Sequence, residues 1–172
     1  MAHPLSLLGI IHTALSIPPV AAALYSFARY RGINPMAAAG KIYLATLTLS
    51  VLTSFGLSSV VGINPGHVLG VLALLAAFGG TGILRLSFFG RLTPYLSALG
   101  LSFSFFLLLV PGINETLTRL PASYPLGASI ESPIVRGTLL AWVAVFFVGT
   151  ALQIWFIRSK QKTSANRTNK TN

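Results

Sequence analysis

Five apolar stretches, each long enough to cross a bilayer and each opened by a proline, dominate this chain. They run from about Pro4 to Ala28, Pro35 to Val61, Pro65 to Leu86, Pro94 to Val110 and Pro133 to Ile157. A spanning α-helix needs roughly 17–25 predominantly apolar residues. In hydrocarbon only a helix or a closed barrel pairs every backbone N–H and C=O internally. Charged residues make up 8% and hydrophobic residues 53% of the 172. Ordinary soluble domains carry roughly 25% charge, so lipid is the solvent for most of this surface. The sequence therefore predicts an all-α fold, a polytopic membrane helix bundle with five transmembrane helices over residues 1–157. A basic tail, 158–172, lacks apolar periodicity and is expected to be disordered.

The helix starts carry their own signal. Asn34-Pro35, Asn64-Pro65, Thr93-Pro94 and Ser132-Pro133 each put a capping side chain before a proline, with His3-Pro4 a weaker version. Proline suits the first helical position because its missing N–H has no intrahelical partner there. The preceding Asn, Ser or Thr is expected to accept from the free N–H groups of the first turn. Gly-Ile-Asn-Pro occurs twice, from Gly32 and from Gly62, and is read as a reused turn rather than a structural repeat. The stretch from Pro111 to Ser132 holds prolines at 111, 121 and 125 and is expected to be an irregular outer loop, partly packed on the bundle.

Twelve Lys and Arg stand against two acids, Glu115 and Glu131, for a formal charge of +10. In a soluble chain that balance would point to nucleic acid. Here the basic residues lie between and after the apolar spans, so no nucleic-acid partner is expected. Ten of them fall on one set of alternate connections and the tail; only Arg119 and Arg136 fall on the other. The richer side is expected to be cytoplasmic, which puts the N-terminus outside and the C-terminus in the cytoplasm. Met1-Ala2-His3-Pro4 has no basic n-region, so the first span is read as retained. Tyr25, Tyr30, Tyr43, Tyr95 and Trp155 all fall near the inner boundary, where an aromatic ring sits in the acyl region with its polar atom wet. Trp142 falls deep in the fifth span and is assigned to packing.

With no cysteine, disulfides, thiolate metal sites and cysteine nucleophiles are excluded. No Asp or Glu falls in a span, and no nucleotide-binding loop, zinc-protease motif or serine-hydrolase elbow occurs. His12 is the intramembrane residue with the most chemistry to offer. It shares a helix face with Ser16 and Pro19, and Pro18 and Pro19 follow in mid-span. Two readings stand side by side: a ligand to haem, metal or substrate, and a polar residue bonded to the second span. His67 opens the third span and is expected at the outer surface, as is His3. Ser54, Ser58 and Ser59 approach the same side, so an outward polar pocket with Ser16, Ser54 and Ser58 is predicted between the first three spans. Its sharpest version is a haem b held by His12 and His67, although sequence spacing sets the two about 9 Å apart in depth.

The second span also carries Thr46, Ser50, Thr53, Ser54 and Ser58 at helical spacing. The third span ends in Gly79-Gly80-Thr81-Gly82, and Gly100 and Ser104 stand at i, i+4 in the fourth. Small residues let helix backbones approach closely in lipid. Helix contact is the plainer reading of both sets and a solute path the functional one. Arg85 and Gln153, toward the inner ends of their spans, are read as snorkelling or paired.

Gly40-Lys41-Ile42-Tyr43-Leu44, then Thr53-Ser54-Phe55-Gly56, then Gly66-His67-Val68-Leu69, with His12 upstream, resemble small bacterial multi-span membrane proteins of unknown function. In those proteins a His in the first span precedes a Gly-Arg/Lys-x-Tyr helix start. The group is remotely similar to cytochrome b561-like cores. The resemblance covers the first half of the chain and implies a bacterial cytoplasmic (inner) membrane, with His12 and His67 as haem ligands by analogy. A full b561 pattern has four intramembrane histidines, so at most one haem would assemble per chain. The leading expectation is an integral membrane protein without enzymatic chemistry, a subunit or accessory factor with the lipid bilayer and a homo-oligomer or membrane-complex partner around it. The alternatives are a haem-b electron carrier and an oligomeric transporter of a small solute.

Overall fold

A computed structural model describes residues 7–61, 65–121 and 123–168, with the side chains at 57–61 and 164–168 outside the description. All regular structure among these residues is helical. Five α-helices follow in order: α1 Leu7–Tyr30, α2 Ala38–Val61, α3 Pro65–Gly82, α4 Thr93–Arg119 and α5 Pro133–Thr168. Two 3-10 segments, Ile83–Arg85 and Ser87–Leu92, join α3 to α4. As the sequence predicts, five helices are long and apolar enough to cross a membrane. The outward faces agree, since Leu52, Leu75, Leu140, Phe147 and Val148 are each more than half exposed. So much apolar surface suits lipid rather than water.

Side-chain pairs fix the packing. His12 meets Thr53 while Ser16 meets Ser50, so α1 and α2 run antiparallel. The backbone of α3 at Gly80 lies against that of α4 at Gly100. Phe106 meets Trp142, Ser102 meets Gln153 and Tyr95 meets Gln161, so α4 and α5 are antiparallel too. Helices consecutive in sequence are thus neighbours in space. The core lies among α1 to α4, around Ala23, Tyr43, Leu47, Ala77, Leu101 and Phe105. Helix α5 joins it from outside through Trp142, whose ring stands edge-on to Phe105 at 5.8 Å and stacks on Phe106 at 6.2 Å. The packing role expected for Trp142 is what it plays.

Several boundaries differ from expectation, each for a local reason. The second helix starts at Ala38, not Pro35. Asn34 closes a turn first, accepting from Met36 N at 3.0 Å through Oδ1 and from Ala37 N at 3.2 Å through its carbonyl. Pro35 therefore sits in that turn rather than at the first helical position. Helix α4 begins at Thr93, with Leu92 before it and no side-chain cap, and Ser132 accepts backward from Ser129 N rather than capping α5. The proline half of the start signal holds at Pro65, Pro94 and Pro133, and the capping half fails at Thr93 and Ser132. His3-Pro4 and Asn64 lie outside the described residues.

Helix α4 also runs through Pro111 to Arg119, taking the first part of the expected outer loop. Proline removes one N–H and crowds one carbonyl. Beyond it the helix is supported by the Glu115–Arg119 ion pair at i, i+4 and by Thr116 and Thr118 hydroxyls bonded back to Gly112 and Asn114. Helix α5 likewise continues past Ile157 to Thr168, where an irregular tail was expected. No Gly or Pro interrupts the chain there, and Gln161 anchors it to α4 by accepting from Tyr95 Oη at 3.2 Å. Tyr43 is a further correction. Its ring is wholly buried and its hydroxyl lies 2.7 Å from Ser104 Oγ, so it is a core residue rather than an interfacial anchor.

Candidate functional site

The first half of α1, the second half of α2 and the start of α3 meet at one end of the bundle, and the intramembrane histidines meet there with them. His12 Nδ1 lies 3.1 Å from Thr53 Oγ1. The single Thr53 hydroxyl hydrogen faces the carbonyls of Leu49 and Ser50, each at 2.9 Å. The oxygen is then the acceptor toward His12, which assigns the imidazole proton to Nδ1. One turn on, Ser16 donates to His12 O at 2.8 Å and lies 2.7 Å from Ser50 Oγ. Two rungs, His12–Thr53 and Ser16–Ser50, thus join α1 to α2. The polar stripe of α2 supplies them, as helical spacing suggests.

His67 is 5% exposed, not at the open surface where its sequence position suggested. Its Nε2 lies 2.9 Å from Ser54 O, and the Phe55 ring covers it at 5.0 Å between centroids. A carbonyl has no hydrogen to give, so Nε2 is the donor and carries the proton. Ser54 turns its own hydroxyl onto Val51 O at 2.6 Å. Of the expected pocket, His12, Ser16, Ser54 and His67 do converge on α2. The Ser58 side chain lies outside the description.

This geometry bears on haem in two ways. The depth mismatch read from sequence is closed, because the two histidines hang on consecutive residues of α2, Thr53 and Ser54. Axial ligation, however, needs two unprotonated nitrogens facing one another across the iron. Each ring is bonded to α2 through one nitrogen, His12 through Nδ1 and His67 through Nε2. No group of three or more His, Cys, Asp or Glu able to hold a metal occurs among the described residues. What the cluster offers chemically is helix attachment through hydrogen bonds.

Sequence reasoning did not find the polar contacts at the other helix seams. Tyr43 and Ser104 tie α2 to α4, Ser102 donates to Gln153 Oε1 at 2.8 Å across α4 and α5, and Trp142 Nε1 donates to Phe106 O at 3.1 Å. Gln153 was singled out by its depth, but its partner was not. No protein-family model, curated protein or solved structure matches the chain.

Proposed function

We propose that this chain is a non-enzymatic multi-pass protein of a bacterial cytoplasmic membrane, a subunit or accessory factor, with its N-terminus outside and its basic C-terminus in the cytoplasm. One observation carries the reading: the polar side chains within the spans that looked most able to do chemistry are hydrogen-bonded to a neighbouring helix. His12, Ser16, Ser50, Thr53 and His67 are all engaged this way. A catalytic or transport site holds polar groups open toward a substrate, whereas these are spent on holding helices together. The charge distribution supports the orientation through the excess of Lys and Arg on inner connections.

The first test is an optical absorption spectrum of the detergent-purified protein, expressed with adequate haem, before and after dithionite. A featureless visible region is expected. A Soret band with sharp reduced α and β bands, lost in His12→Ala or His67→Ala, would replace this reading with the electron carrier. Solute uptake into vesicles that His12→Ala leaves unchanged would replace it with the transporter.

A further inference from the structure

At the end of the bundle away from the histidines, a cleft of about 550 Å³ opens between the end of α1 and the later part of α5. Phe27 and Phe156 give it apolar walls, and Arg29, Arg31 and Gln153 give it a polar edge. Gly149 also lines it, and a Cβ added there meets nothing within 4 Å, so the space is real rather than a side-chain gap.

Three features define what would fill it. The first is uncompensated charge. The chain has two carboxylate side chains, Glu115 and Glu131, and these pair with Arg119 and Arg136. Arg29 and Arg31, both exposed, are therefore left available to an anion from outside the chain. The second is fixed placement. The Arg31 guanidinium sits 4.1 Å over the Phe156 ring, which holds its charge against the cleft wall. The third is an available donor. Gln153 lines the cleft and its Oε1 accepts from Ser102 Oγ, which fixes the amide and leaves the Nε2 hydrogens as the group it can offer a ligand oxygen.

We propose that this cleft binds one anionic phospholipid, with its phosphate against Arg29, Arg31 and the Gln153 amide and an acyl chain along Phe27, Gly149 and Phe156. A phosphodiester supplies the negative charge and several acceptor oxygens, and guanidinium groups match them. The apolar walls require a chain attached to that phosphate, which a free anion lacks. A zwitterionic lipid would bring its own cation toward two arginines. The proposal stands whether or not the chain is a subunit of a larger complex.

The test is to reconstitute the full chain into nanodiscs of phosphatidylcholine mixed with phosphatidylglycerol and to count retained lipids by native mass spectrometry. One phosphatidylglycerol per chain, kept in preference to phosphatidylcholine, is expected. Arg29→Gln should lower that affinity about fivefold, the effect of one basic residue near an anionic surface. Gly149→Leu fills the cleft without touching a charge and should abolish the preference while the melting temperature holds. Arg29→Gln, at an exposed position, decides the matter alone if Gly149→Leu does not fold. Equal retention of the two lipids would overturn the proposal, as would a folded Gly149→Leu that keeps the preference. So would displacement of the lipid by millimolar inorganic phosphate, the behaviour of a headgroup-only anion site.

Discussion

Ser26 faces the core from α1 with its hydroxyl buried and, among the described residues, unbonded. An unsatisfied buried hydroxyl costs about 1–3 kcal/mol. Ser26→Ala should therefore raise stability by about 1 kcal/mol, read as a shift in the unfolding midpoint in mixed detergent micelles. The His12–Thr53 bond has the opposite sign. Interhelical side-chain bonds in lipid average about 0.6 kcal/mol in coupling and reach about 1.7. A double-mutant cycle with His12→Leu and Thr53→Val should return a coupling in that range, and zero coupling would mean that the contact does not join the helices. His12 was legible from the sequence because a histidine eight residues into an apolar run must find a partner. Tyr43 was not. Its position near a span boundary fits an interfacial anchor equally well, and the Ser104 that buries it stands 61 residues away. Long-range partners of this kind leave no trace in local pattern.

At the scale of the helix, the seam between α3 and α4 depends on two glycines. A Cβ on Gly100 would meet Ala76 O at 2.9 Å, and one on Gly80 would meet Ser97 O at 3.0 Å. In lipid, association rests on such close packing rather than on expulsion of water. Gly100→Val should cost about 1–3 kcal/mol by overpacking, seen as loss of folded protein on gel filtration. Gly82→Ala meets open space and should stabilise by up to about 1 kcal/mol through helix propensity. If the two substitutions behaved alike, the seam would not be set by backbone approach. The run Gly79-Gly80-Thr81-Gly82 announced a helix contact without saying which glycine makes it, since that depends on rotation about the helix axis. The existence of five helices was legible because hydropathy over some twenty residues is a strong signal. Their ends were not, because they depend on local hydrogen bonds. Asn34 delays α2 by forming its own turn, and Gly40 is required there since any side chain would strike Asn34 O. Helix α4 crosses Pro111, and the polar residues beyond it bond along the helix.

Over the whole molecule, helix alternation sends Arg29, Arg31, Lys41, Arg85, Arg91 and the cations of late α5 to one end, and the two paired acids to the other. The absence of cysteine makes this testable without background. In intact cells a membrane-impermeant maleimide should label Ser129→Cys, in the exposed loop before α5, and leave Ser159→Cys unlabelled until the membrane is opened. The reverse pattern would invert the proposed orientation. Lys and Arg counts made this distribution legible, and the antiparallel order of the helices agrees with it. The cleft between α1 and α5 was not legible, since it depends on how a peripheral helix leans on the others.

That peripheral position has a consequence for synthesis. The main buried apolar cluster draws on α1 to α4 and is complete by residue 119, with Trp142 of α5 at its margin and Val135 and Gln153 of α5 buried outside it. A ribosome delivers the chain N-terminus first, and earlier segments fold while later ones are still being made. The first four helices therefore have the partners of that cluster at hand before the fifth emerges, while Ser102 and the Phe106 carbonyl still await theirs. The last helix arrives at a finished surface, with Trp142, Gln153 and Gln161 as its points of attachment.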